Sequence, residues 1–280
     1  MSNNSYNYIT PSSNADWHSK TGKLSFHVNN DYLFRALLQS CNHVLKALIA
    51  SLLHWDISDI QSAEIQNPVE LGHSIDAKDF YLDIKVLLNN SRILNLEMQV
   101  INQHNWPERS LCYLCRTFDN LNKGNDYALV SPAHQIGLTD FSPFPEQPEF
   151  HATYKMLNVR SYQKYTDKFT LSVVDLTQIE KATEEDKLYK MDQWALMFKA
   201  TTWEDLKMLA AQNPVIDEAV THIFKLTEEE KIRMQMEARE EYYRNERTHQ
   251  VLLKQAIAEK EQAIAEIAEL KAKLAAAGLE

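Results

Sequence analysis

The sequence predicts an α/β (α+β) fold in which a mixed central sheet is flanked by helices and followed by a helical region ending in one long helix. Three stretches carry that prediction. Apolar residues recur at three- and four-residue spacing from Asp31 to about Trp55. Two runs of apolar–polar alternation between Lys78 and Ile101 flank the turn-forming cluster Asn89-Asn90-Ser91, and a charged helical stretch runs from Thr227 onward. At 280 residues, 44% of them hydrophobic, the chain is long enough to bury a large core.

Residues 1–24 are rich in Asn and Ser, show little periodicity and read as a flexible tail. The following helix carries Leu33, Phe34, Leu37, Leu45, Leu48 and Leu52 on its apolar stripe, with a break expected near Cys41-Asn42. Asp31 falls in its first turn, where the helix dipole favours a carboxylate. Ala63 to Asn67 reads as a strand feeding the hairpin. In the hairpin, Leu82, Ile84, Val86 and Leu88 share one face, as do Leu94, Leu96, Met98 and Val100, because side chains alternate with period two. Glu108 to Leu121 predicts a helix through Leu111, Leu114, Cys115, Phe118 and Leu121. Tyr127 to Val130, Gln135 to Phe141, Phe150 to Val159 and Phe169 to Leu176 read as short strands that complete the sheet, separated by turns such as Ser142-Pro143-Phe144-Pro145. Thr183 opens a helical region punctuated by Asn213-Pro214, and Glu228 starts the last helix, whose best break signal is Asn245. The expected organisation is therefore a sheet domain over 25–180, a helical extension over 181–226 and a long helix over 227–280.

The polar face of the hairpin carries Asp83 and Lys85 outbound and Asn95, Glu97 and Gln99 on the return. A turn centred near Asn90 pairs residues whose numbers sum to about 180, so Asp83 faces Glu97 and Lys85 faces Asn95. Opposed carboxylates on adjacent strands repel. Two readings of the hairpin stand side by side: a solvated face on which Asp83 pairs with Lys85 or another cation, and a site where a hard divalent cation turns the repulsion into coordination. The formal net charge of −10 excludes nonspecific phosphate binding by bulk positive charge, so any nucleic-acid chemistry needs locally gathered cations. Cys41, Cys112 and Cys115 form no disulfide framework and suit a reducing, cytoplasmic compartment. Cys112 and Cys115 lie inside a helical pattern with no second pair, unlike a zinc module. His73, His104, His134 and His151 are scattered and read as ordinary polar or packing residues, and no run has membrane length.

An Asp on one strand followed by Glu-x-Lys on the next is the core of the PD-(D/E)XK nuclease superfamily. Asp83 followed by Glu97-Met98-Gln99 resembles its recombination-promoting nuclease/transposase (Rpn-type) branch, which has Glu-x-Gln instead. Asn30-Asp31-Tyr32-Leu33-Phe34-Arg35 is similar to that family's opening Asp-x-x-Phe-Lys segment, Arg109 with Tyr113 to its Arg-x-x-x-Tyr helix, Lys123-Gly124-Asn125-Asp126-Tyr127 to the segment after it, and Trp194-Ala195-Leu196-Met197-Phe198 to a later Trp-containing helix. The resemblance spans about residues 25 to 245. It implies a restriction-endonuclease-like core and a Mg²⁺- or Mn²⁺-dependent endonuclease acting on DNA. Asp83, Glu97 and the Met98 carbonyl would hold metal, Gln99 and Lys85 would serve catalysis, and Asp31, Arg109 and Tyr113 would support the site. Gln99 departs from the Lys-bearing pattern: an amide orients an attacking water but takes no proton, and Lys85, one pleat from Asp83, is the candidate replacement cation. The competing reading is a nuclease-like DNA-binding or assembly protein without turnover. Leu253, Ile257, Ile264, Ile267 and Leu274 follow alternating four- and three-residue steps with Lys260 and Lys271 in the same seam, which fits either a homo-oligomeric coiled coil or a solitary solvated helix.

Overall fold

The computed structural model describes residues 16–67 and 84–276. Six strands form one mixed sheet in the order β1-β2-β3-β4-β6-β5. β1 (Ala63–Ile65), β2 (Ile84–Leu88) and β3 (Arg92–Gln99) are antiparallel neighbours. β3 runs parallel to β4 (Ala133–Thr139), β4 parallel to β6 (Phe169–Asp175), and β5 (His151–Lys155) closes the edge antiparallel to β6.

The β2–β3 turn places Asn89 and Asn90 at φ 48° and 53°, the left-handed pair of a type I′ turn that Asn tolerates. Asn89 adds its own brace, accepting from the Gln61 and Ser62 amides at 2.8 and 3.1 Å. The resulting register pairs Lys85 with Asn95 and Ile84 with Leu96, as the alternation predicts. Ile84, Val86, Leu94 and Leu96 are fully buried on the apolar face. Against that face lie α1 (Asp31–Ser40) and α2 (Asn42–Leu53), which meet at 114° across Cys41, the expected break. The opposite face is covered by α3 (Trp106–Phe118), the crossover between β3 and β4.

After the sheet come α4 (Glu184–Leu188), α5 (Met191–Lys199), α6 (Trp203–Ala210) and α7 (Pro214–Glu228); the apolar residues of α5, α6 and α7 join the same hydrophobic cluster as α1 and α2. α8 (Glu230–Ala276) follows after one residue and passes Asn245 without a break. Its first part is docked. Asn30 caps α1 through Oδ1, accepting from Tyr32 and Leu33 amides at 3.1 and 3.2 Å, while its Nδ2 donates to the Met236 carbonyl at 3.2 Å and Glu240 Oε1 at 3.0 Å. Residues 251–276 are exposed throughout. Among the described residues no single helix is long and apolar enough to cross a membrane.

One expected strand is a different element. Tyr127–Leu129 forms a 3₁₀ turn because Asp126 Oδ1 captures the Ala128 amide at 2.8 Å, and the 87% exposed Tyr127 and 65% exposed Leu129 have no face to bury in a sheet. α3 starts two residues earlier than the spacing predicts, since Pro107 fits the first helical turn, where its missing N–H costs nothing.

Candidate active site

The middle of β3 supplies the site. By strand alternation Asn95, Glu97 and Gln99 share the face under α3, and the parallel register sets Asn95 beside Gln135, Glu97 beside Gly137 and Gln99 beside Thr139. Asn95, Glu97, Gln135 and Thr139 are all buried, an unusual polar layer beneath a helix. Gly137 makes the layer accessible to α3. A Cβ there would lie 2.1 Å from Cζ2 of Trp106, so the indole, at the first residue of α3, occupies the space a side chain would fill. Arg109 follows three residues later, almost one turn on, and comes down over Glu97.

Arg109 donates to Glu97 Oε1 through Nε at 3.0 Å and Nη2 at 2.7 Å. Gln135 Nε2 approaches Glu97 Oε2 at 3.4 Å, and Asn95 Nδ2 fixes Gln135 by donating to its Oε1 at 2.8 Å. Among the described residues, the buried Glu97 carboxylate is thus held by the Arg109 guanidinium on one oxygen and approached by the Gln135 amide on the other. The Arg109 guanidinium also lies 5.3 Å from the Tyr113 ring centroid, one helical turn away, and Arg116 5.9 Å from the same ring. Gln99 Nε2 donates to the Ile101 carbonyl at 2.9 Å, which ties its amide to the chain leaving β3. The Gln99 carbonyl accepts from Asp140 N on the β4 side, so by alternation the Met98 carbonyl faces the β2 side.

Lys85 is half-buried on β2, its backbone clamped by Asn67 Oδ1, which accepts from its N–H at 2.8 Å, and by Gln66 N, which donates to its carbonyl at 2.7 Å. Asp83 lies outside the described residues. Asp31 is held by α8: Arg239 donates to Oδ1 from Nε at 2.9 Å and to Oδ2 from Nη2, and Tyr243 Oη accepts from the Asp31 amide at 3.3 Å. Burial first, and the Asp31 carboxylate second, push the Tyr243 hydroxyl far above the usual tyrosine range, so it is a neutral partner at this junction. Glu97, Arg109 and Tyr113 therefore meet directly, Gln99 and Lys85 flank them on the same sheet face, and Asp31 is engaged at the base of the long helix.

Sequence reasoning missed Gln135, Gly137 and Asp175. Asp175 is aligned with Thr139 and Gln99 across three parallel strands and shares their face. Its Oδ1 accepts from Thr177 N and Oγ1 at 2.8 and 2.6 Å, and its buried Oδ2 has no partner among the described residues. Period-two counting along Phe169–Asp175 identifies the faces of that strand, but strand order, which brings β6 next to β4, is not visible in the sequence.

A mixed six-stranded sheet with a buried carboxylate on a central strand and a crossover helix over it is consistent with an α/β core of the PD-(D/E)XK type. A family model described as PD-(D/E)XK nuclease family transposase matches residues 28–271, and the chain belongs to that family. No curated protein and no solved structure matches it.

Proposed function

We propose that the chain is a Mg²⁺-dependent endonuclease that hydrolyses DNA phosphodiesters. The observation that carries this reading is Glu97: a carboxylate buried at the centre of the sheet, aimed by Arg109 and Gln135, at the position where the family resemblance places a metal ligand. Fully buried carboxylates are rare unless paired, and a structural ion pair alone gives no reason for the surrounding layer of polar side chains. The donor set fits a hard divalent cation: carboxylate oxygens of Glu97 and of Asp83, which the sequence-derived register pairs with it, and the Met98 carbonyl facing the same hairpin. Such a cation supplies positive charge against the phosphoryl oxygens and acidifies the attacking water.

The remaining roles belong to the chain. Arg109 holds Glu97 in its rotamer and presents its guanidinium, 31% exposed, to an incoming phosphate, for which the planar fork is suited. Gln99, anchored on Ile101, orients the water by hydrogen bonding. Lys85 supplies the proton-accepting or charge-stabilising group that an amide cannot. The test is plasmid nicking in Mg²⁺ against EDTA with the wild type, Asp83→Ala and Glu97→Gln. Metal-dependent nicking lost in both variants supports the reading, and DNA binding without nicking by the wild type replaces it with the assembly-protein alternative.

The exposed end of α8 supports a homo-oligomer. Leu253, Ile257, Ile264, Ile267 and Leu274 are each about half exposed and lie along one heptad seam, the surface a parallel coiled coil covers. Light scattering on the full chain and on Ile264→Glu separates a dimer that dissociates from a monomer indifferent to the change. A cytoplasmic site of action accords with the unpaired thiols of Cys41, Cys112 and Cys115.

A further inference from the structure

On the sheet face opposite Glu97, three residues from distant parts of the chain converge. His151 opens β5 and pairs with Val174; the neighbouring Val173 is in line with Gly137 and Glu97, so alternation puts His151 on the other side of the sheet. His54 is the C-cap of α2, and Asp186 is the third residue of α4. His54 Nε2 lies 3.0 Å and His151 Nδ1 3.3 Å from the same oxygen, Asp186 Oδ1, and the three ligating atoms all fall within 4.8 Å of one another. The side chains are 17%, 12% and 3% exposed.

We propose that His54, His151 and Asp186 form a second metal site, for a borderline transition ion of the Zn²⁺ type, that clips α2, β5 and α4 together. Zn–N and Zn–O distances of about 2.0–2.2 Å in a tetrahedron require donor–donor edges of roughly 3.3–3.5 Å; the two edges to Asp186, 3.0 and 3.3 Å, are near that length, and the His54–His151 edge is within 4.8 Å. Imidazole nitrogens favour Zn²⁺ over Mg²⁺, so the site is chemically distinct from the oxygen-lined one on the other face.

The outer shell is what distinguishes this cluster from a chance hydrogen-bonded trio. Ligating groups usually have their remaining polar atom held by a second partner. Here Thr183 donates from N at 2.8 Å and from Oγ1 at 2.7 Å to Asp186 Oδ2, leaving Oδ1 to face the rings. Thr153 Oγ1 meets His151 Nε2 at 3.4 Å, and Glu185 Oε1 lies 3.8 Å from His54 Nδ1. Tyr189 stacks on His54 at 5.2 Å, fixing the ring plane. His54 also stands at φ 54°, a cap conformation ordinarily given to Gly, so the position carries a ring where the backbone favours none.

A second trio, Cys41, Glu218 and His222, has its ligating atoms equally close, but His222 and Glu218 are only half-buried, and burial and Glu218 hold the Cys41 thiol protonated. The test uses the full chain, stripped with chelator and titrated with Zn²⁺ and then Co²⁺ in excess Mg²⁺. Expected are one equivalent of ion bound, a cobalt spectrum without a thiolate charge-transfer band, and a rise in Tm of about 5 °C or more at a hundredfold excess over Kd. His54→Asn, which tolerates the left-handed backbone, and His151→Gln, which keeps a donor toward Asp186, should each abolish stoichiometric binding; Thr153→Val should weaken it about tenfold or more. Circular dichroism on the stripped variants checks that they are folded. Binding that survives both histidine variants, a thiolate band lost in Cys41→Ser, or no binding at micromolar free ion overturns the proposal.

Discussion

Removing Arg109 should expose how strongly the site depends on charge compensation. Glu97 is 5% exposed and Arg109 31% exposed, and two charge-assisted hydrogen bonds join them. Breaking a buried pair by deleting one partner costs about 3–5 kcal/mol, mainly because the remaining charge is left desolvated. Partial exposure of Arg109 and the amide of Gln135, still available to Glu97, discount that to about 2–3 kcal/mol for Arg109→Ala. In a Glu97→Gln background there is no buried anion to compensate, so the same substitution should cost less than about 1 kcal/mol. Urea unfolding of the four proteins in EDTA, followed by circular dichroism, closes the double-mutant cycle. A coupling of roughly 2 kcal/mol is expected. Additivity within about 0.5 kcal/mol would refute the view that Arg109 neutralises Glu97 within a water-poor layer. Mg²⁺ should restore part of the stability lost in Arg109→Ala, because a bound cation supplies the missing charge, and should leave the double variant unmoved.

Gly137→Ala should destabilise the chain by about 1–3 kcal/mol or more, since its methyl group would overlap the Trp106 ring, and Trp106→Leu in the same chain should recover part of the loss; thermal melts of the two variants decide it. Burial, with Arg92 nearby, holds the His134 imidazole down to about 3. The unfolded chain then takes up a proton at His134 that the folded chain refuses. Stability from this residue is complete above the ordinary histidine value near 6.5 and is lost as pH falls from there toward 3. His134→Asn should flatten that part of the urea-midpoint profile between pH 7 and 4, and an unchanged slope would contradict it. At saturating Mg²⁺, Lys85→Ala should lower the nicking rate by about 10²–10⁴-fold with metal affinity nearly unchanged; a rate within a few-fold of wild type removes Lys85 from the chemistry.

The hairpin was readable because period two and an Asn-Asn turn together leave one register, and Lys85 indeed faces Asn95. The break at Cys41 was equally readable from the interrupted stripe. Tyr127 to Val130 misled because its apolar content mimics a strand while the deciding group, Asp126, acts through one local hydrogen bond. The partners of Glu97 were half visible: Arg109 stood out by resemblance, but whether it met phosphate or carboxylate depends on how closely α3 approaches the sheet, which a single hydrogen atom at Gly137 decides. The His54, His151 and Asp186 cluster left no trace, since its members are separated by 132 and 35 residues and meet only through strand order and helix packing. Spacing motifs record local geometry, and such a cluster has none.

The unbroken passage of α8 through Asn245 makes its exposed stretch a ruler. Residues 251–276 rise about 1.5 Å each, so the solvated part reaches roughly 39 Å beyond its last docked turn. That is a little more than one turn of B-form DNA, about 34–36 Å. With no break in the helix between the anchor at Asn30 and Asp31 and residue 276, whatever binds its exposed stretch is held at a set distance and azimuth from the sheet. Deleting one whole heptad from the exposed part shortens the reach by about 10.5 Å while keeping the seam on one side, whereas deleting four residues swings the remainder of the seam about 40° around the axis. Length and phase of this arm are therefore separately adjustable, and in the coiled-coil assembly proposed above they would set the geometry between two copies of the core.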